Sequence, residues 1–236
     1  MYNYLILSYF FIASYFIHIS YSFVKKHIKD IYPKFKNYDQ SRQNYIIKNL
    51  IKSMSLYFIS ILSIPVIPAF FLNLTEFNTV IQFTGMFYVA NDFVGLLKVD
   101  KLGLPTKLHH IVTTGFGLIV PMINFFEYPT ARLLMIYTLS ASYTYKVNYF
   151  LGIRFLTHKR EYLPIKKLAF KIYFISCICN FSFHLGWLYL NIYNLTYINM
   201  FYYVIITPLI YDDMKLLAWL KKSEISHVQV NSYVSQ

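Results

Sequence analysis

Apolar residues run in blocks of about 20, the length at which a helix rising about 1.5 Å per residue crosses a bilayer core of about 30 Å. Polar and charged clusters separate the blocks. Seven spans follow from this alternation, over residues 4–24, 53–72, 80–97, 109–126, 132–151, 170–192 and 198–211. The pattern predicts an all-α polytopic membrane protein, a bundle of about seven transmembrane helices. The first block does not read as a cleaved signal peptide: no cation precedes it, its apolar core is too long, and Lys25, Lys26 and Lys29 follow it. That flank reads as an anchor with its N-terminus outside the cytoplasm.

Within the spans the exceptions to apolar character matter most. Pro65, Pro68, Pro121 and Pro208 each remove a backbone donor, and so suggest a bent bundle that encloses a cavity. Gly115 and Gly117 allow a neighbour to approach the fourth span closely, as ordinary helix packing requires. No internal repeat is visible, which favours one membrane domain.

Composition narrows the class further. Hydrophobic residues make up 57% and charged residues 14%, against about 45–50% and about 25% in soluble globular proteins. Disorder, fibres and an ordinary water-soluble enzyme are excluded. The net charge of +12 does not point to nucleic acid, because the cations lie in clusters between apolar blocks and no soluble segment is large enough to form a groove. They follow the positive-inside pattern instead: 20 of the 22 Lys and Arg fall on one side of the implied alternation. This predicts a cytoplasmic C-terminus in a multi-pass membrane protein. The endoplasmic reticulum or a related endomembrane is the expected location, though the charge pattern itself names no organelle. The sequons at Asn73 and Asn194 fall in short loops on the opposite side, too near the membrane for glycans to be expected. Cys177 and Cys179 are the only cysteines. Both lie inside an apolar block, as packing residues and not as a disulfide or a metal site.

Ionisable residues inside a membrane are costly, and therefore functional candidates. They are His18, Asp92, His109, His110, Lys146 and His184, with Asp212 and Asp213 closing the last span. Asp92 lies six residues before Lys98, and His109 and His110 follow Pro105, a favoured opening residue of a helix. The two spans are joined by a short loop, so they are antiparallel neighbours with these groups at similar depth. A carboxylate on one imidazole nitrogen fixes the tautomer and raises the basicity of the other, as a general base requires. Adjacent helical residues diverge by about 100°, so one histidine alone can face Asp92 squarely. A purely structural alternative stands beside this one: the histidines solvate a helix N-terminus while Asp92 pairs with Lys146. His18 and His184 are expected to form interhelical hydrogen bonds, and Asp212 and Asp213 to face water.

The string Met86-Phe87-Tyr88-Val89-Ala90-Asn91-Asp92-Phe93-Val94-Gly95-Leu96-Leu97, followed by Lys107-Leu108-His109-His110-Ile111-Val112-Thr113, resembles the core of the TLC domain, the family of TRAM proteins, ceramide synthases and CLN8-like proteins. The resemblance implies an N-terminal anchor and the start of a basic loop over 1–36, a TLC-like domain over 37–222, and a polar cytoplasmic tail over 223–236. It also implies helices surrounding a lipid cavity. In the ceramide synthase branch the His pair is catalytic in acyl transfer from acyl-CoA to a sphingoid amine, a role that would fall here on His109 and His110, with Asp92 as the nearby acid. In such a cavity Asn91, Lys146 and His184 are the candidates to contact substrate. Ceramide synthases carry a run of acids after the His pair, whereas Glu127 is the only acid between 111 and 148 and Thr138 precedes the Leu139-Ser140 element where an acid is usual. The chain therefore looks closer to the general TLC-domain proteins.

Two functions remain open from sequence. One is a membrane acyltransferase acting on a lipid amine or hydroxyl, with acyl-CoA as co-substrate and no bound cofactor or metal. The other is a non-catalytic lipid-binding or lipid-sensing protein that regulates bilayer composition or trafficking. A proton-coupled transporter would want acids near the midplane and paired repeats, and neither is visible. The lipid and the oligomeric state are not readable from the chain.

Overall fold

The computed structural model describes residues 4–222; the polar tail read over 223–236 lies outside the described residues. All regular structure among the described residues is helical: α1 Tyr4–Ile31, α2 Gln40–Phe71, α3 Asn78–Lys98, α4 Leu104–Ile119, α5 Pro129–Ser142, α6 Tyr145–Ile153, α7 Lys159–Asn191 and α8 Tyr197–Lys222. Four stretches are long and apolar enough to cross a membrane, Tyr4–Ile31, Gln40–Phe71, Thr75–Lys98 and Lys159–Asn194. The polarity of the bundle is that of a membrane protein. Leu185, Tyr189 and Phe16 stand on the outside, while Lys48, Lys52, Asp92, His109 and His110 are buried, the reverse of a water-soluble core.

Helix ends follow local chemistry. The Asp39 side chain accepts from the Arg42 amide at 2.7 Å and caps α2. Pro105 and Pro129 occupy the opening turns of α4 and α5, where no donor is needed. After α2 the chain turns at Asn73, whose φ of 56° is one that Asn tolerates. Its side-chain oxygen accepts from Arg132 at 2.6 Å. Pro121 does not kink the fourth span, as expected from sequence, but ends it: α4 stops at Ile119 and a single tight turn follows. The carbonyls of Val120 and Ile123 left there accept from Gln82 of α3 at 3.2 and 2.9 Å.

The span read as one helix over 132–151 is broken. Its ladder stops at Ser142, turns through Tyr143 and Thr144, and restarts at Tyr145. The second span begins earlier than its apolar block, at Gln40, and the last runs on to Lys222. These extensions bring Lys48, Lys52, Asp212 and Asp213 into helices that the apolar pattern alone cut short.

In the bundle α2 packs along α6 and α3, α1 along α3, α3 along α4, α4 along α8, and α7 along α5, α6 and α8. Two glycines set the closest approaches. A Cβ on Gly117 of α4 would stand 2.5 Å from Val89 of α3, and one on Gly152 of α6 would stand 2.8 Å from Leu50 of α2. Gly115, by contrast, faces open space.

Candidate functional site

On α2, Tyr45, Lys48, Asn49, Lys52 and Leu56 recur at helical spacing on one face. They line a cavity of about 530 Å³ together with His109 and His110 of α4, Tyr88 of α3, Tyr137 of α5, Tyr173 of α7 and Asp212 and Asp213 of α8. Elements from across the bundle thus converge on one polar chamber. A smaller apolar cavity of about 40 Å³ adjoins it, and Tyr88 and Tyr137 belong to both walls.

Asp92 sits behind the chamber wall at 0% exposure. Three donors gather on it. Lys52 Nζ forms an ion pair with Oδ1, His110 Nδ1 lies 2.9 Å from the same oxygen, and His109 Nε2 lies 3.8 Å from Oδ2. The 2.9 Å contact has hydrogen-bond length, but the carboxylate oxygen lies off the ring N–H direction, so it holds mainly by charge. A carboxylate so placed is retained only because cationic partners replace its lost hydration. The cation is Lys52, one helix away, and not Lys146. The Lys146 ammonium lies 5.3 Å from the centre of the Tyr145 ring, which removes the alternative pairing considered from sequence.

The adjacent histidines diverge as the helix requires, their rings 5.6 Å apart at 70°. His110 is held on both sides, by Asp92 at Nδ1 and by Lys48 Nζ at 2.8 Å from Nε2. His109 lies between two acids, with Asp212 Oδ2 3.5 Å from its Nδ1 and no hydrogen-bond partner on that atom. Asp212 is itself oriented by Thr106, whose hydroxyl donates to Oδ1 at 3.0 Å. Asp213 accepts from Tyr137 at 2.8 Å and from Tyr173 at 2.7 Å. The expectation that these two aspartates face water is therefore corrected: both line the chamber, and α8 continues past them.

The lining carries Lys48, Lys52, Lys101, Arg154 and Lys215 against two aspartates. With the sealed Asp92 included the cations still exceed the acids, so the chamber favours anions. Arg154, just beyond the end of α6, lies 4.5 Å over the Trp219 ring. Burial lowers its pKa from the ordinary guanidinium value, with Tyr45 acting in the opposite sense. Among the described residues no cluster of His, Cys, Asp and Glu has the make-up to hold a metal ion.

The remaining candidates fall elsewhere. Asn91 donates to the Phe87 carbonyl of its own helix at 3.0 Å. His184 bridges α7 and α8, with Nε2 2.9 Å from the Tyr202 hydroxyl, and His18 links α1 to α3 through Lys98 at 3.1 Å. Asn91, Lys146 and His184 are absent from the walls of both cavities. Lys48 and Lys52 escape the apolar pattern because both precede the block over 53–72 and fall in the charged stretch between the first two spans. Their spacing of four residues, in phase with Tyr45, Asn49 and Leu56, was the available signal. No family model, curated protein or solved structure matches the chain.

Proposed function

We propose that this is a TLC-like membrane protein of lipid metabolism that transfers an acyl group from acyl-CoA to a lipid amine or hydroxyl. The observation that carries the reading is His109, on the chamber wall between Asp92 and Asp212 with no hydrogen-bond partner at Nδ1. Nε2 faces the sealed Asp92 and Nδ1 faces Asp212 of the chamber wall, so in the productive tautomer the proton sits on Nε2, Nδ1 accepts one from the substrate, and the two carboxylates stabilise the imidazolium that forms. The deprotonated nitrogen or oxygen attacks the thioester carbonyl, a C–N or C–O bond forms, and the C–S bond breaks. The departing thiolate takes the proton from the imidazolium. Lys101, Lys215 and Arg154 supply positive charge for the phosphates of the co-substrate.

Cells expressing the protein should gain an acylated lipid that cells expressing His109→Ala lack. The rate in membranes supplied with acyl-CoA should fall by about 10²–10⁴-fold, the usual contribution of a positioned base. Expression should persist, because His109 makes no hydrogen bond that the fold would lose.

One observation favours a second reading, a non-catalytic lipid-binding protein: the His110 nitrogens are both occupied by protein groups, as in a site built for recognition. An equal change in lipid content with the wild type and with His109→Ala would select it.

Either reading places seven crossings in an endomembrane, with the short helices α4, α5 with α6, and α8 completing the four long ones. The chamber then opens toward the cytoplasm, where the lysines gather. Protease treatment of sealed microsomes should remove a tag placed after Gln236 and spare one at Met1. Loss of the N-terminal tag would reject the count.

A further inference from the structure

Lys48 is buried with its ammonium against an imidazole. Its stem passes over Gly95 of α3, where an added Cβ would stand 3.2 Å from Lys48 Cε. Its Nζ then meets an imidazole nitrogen, His110 Nε2, at 2.8 Å. Among the described residues no ion pair joins Lys48 to a carboxylate, whereas Lys52 one turn on is taken by Asp92. A lysine ammonium only donates, so Nε2 is the acceptor and the ring proton sits on Nδ1, facing Asp92. An amine, its proton acceptor and an orienting carboxylate stand in the order that activates nucleophiles in hydrolytic triads. Lys48 also lines the chamber.

We propose that Lys48 is a nucleophilic amine that takes an aldehyde or ketone bearing an alkyl chain as a Schiff base, with His110 as proton acceptor and Asp92 positioning the ring. His110 Nε2 takes one proton from the Lys48 ammonium, and the amine so freed attacks the carbonyl carbon and forms a C–N bond. The imidazolium gives that proton to the carbonyl oxygen and the ring then takes a second from Nζ, leaving a neutral carbinolamine. The second proton passes to the hydroxyl, the C–O bond breaks, water leaves and a C=N bond remains. Two of the three ammonium protons end on water, the third stays on the iminium nitrogen, and nothing is oxidised or reduced. A thioester would instead leave Lys48 as a stable amide, so a carbonyl compound is the class that allows turnover. Leu56, Val147, Leu151 and Leu216 on the chamber wall, and the apolar cavity across Tyr88 and Tyr137, suit the chain. This chemistry goes beyond acyl transfer, which rests on His109, so either can fail alone.

The test uses the purified full chain in detergent, hexadecanal as probe and sodium cyanoborohydride to fix any imine, with peptide mass mapping as readout. Lys52, Lys101 and Lys215 line the same chamber and serve as internal controls. Lys48 is expected to label about 10-fold faster than any of them, and His110→Asn to slow its labelling about 100-fold, the lower end of what a positioned base contributes. Labelling that follows exposure across the lysines, or that spares Lys48, overturns the proposal. So does Lys48 labelling that is indifferent to His110→Asn. The wild-type map decides the first two outcomes without any variant.

Discussion

Asp92→Asn is expected to destabilise the protein by about 3–5 kcal/mol, the cost of removing one member of a buried ion pair. The measurement is thermal unfolding in detergent beside membrane yield. Asparagine keeps the shape of the side chain and one acceptor, so neither packing nor a lost hydrogen bond explains a loss of that size. Charge does: the carboxylate is wholly buried and the Lys52 ammonium rests on it. Neutralising Asp92 strands that ammonium in a site from which solvent is largely excluded. Lys52→Met in the same chain should return most of the stability, since a neutral stem of similar length then fills the site. Lys146→Met should return none, its ammonium lying over Tyr145 and Tyr149. If the Lys52 double variant is no more stable than Asp92→Asn alone, the pair does not hold the carboxylate in place.

The meeting of Asp92 with the His pair was legible because it needs only short-range facts. A brief loop makes α3 and α4 antiparallel neighbours, rise per residue matches their depths, and the 100° step separates the roles of the two rings. The cation was not legible, for a reason that lies in the hydropathy signal. Apolar windows stop at the first charges, so Lys48 and Lys52 fell to a loop, whereas the backbone stays helical from Gln40 with Asp39 as its cap. The same truncation placed Asp212 and Asp213 at a membrane face, although α8 continues to Lys222 and presents them to the chamber. Lys146 erred in the other direction. The apolar block around it is continuous, but the turn at Tyr143 and Thr144 resets the helical phase, and no periodicity computed across a break can assign a facing residue.

Asp213→Ala should loosen the wall of the chamber that α8 supplies. Two tyrosine hydroxyls, from α5 and α7, donate to the two oxygens of this carboxylate. Hydrogen bonds to a charged acceptor contribute about 1.5–3 kcal/mol each. Asp213 borders the chamber, so water can reach the vacated position and the combined loss is expected to be about 2–3 kcal/mol. In a chain already carrying Tyr137→Phe and Tyr173→Phe, adding Asp213→Ala should cost little, because the groups it served are gone; equal costs in both backgrounds would show that the hydroxyls are not what the carboxylate stabilises. The effect should also reach the site. Asp212 precedes Asp213 on the same helix and stands 3.5 Å from His109 Nδ1, so releasing α8 from α5 and α7 moves an acid away from the proposed base. The proposed acyl transfer should therefore fall in Asp213→Ala even at temperatures where the protein remains folded, whereas Tyr173→Phe alone, which leaves the Tyr137 bond to α8 in place, should retain most of it.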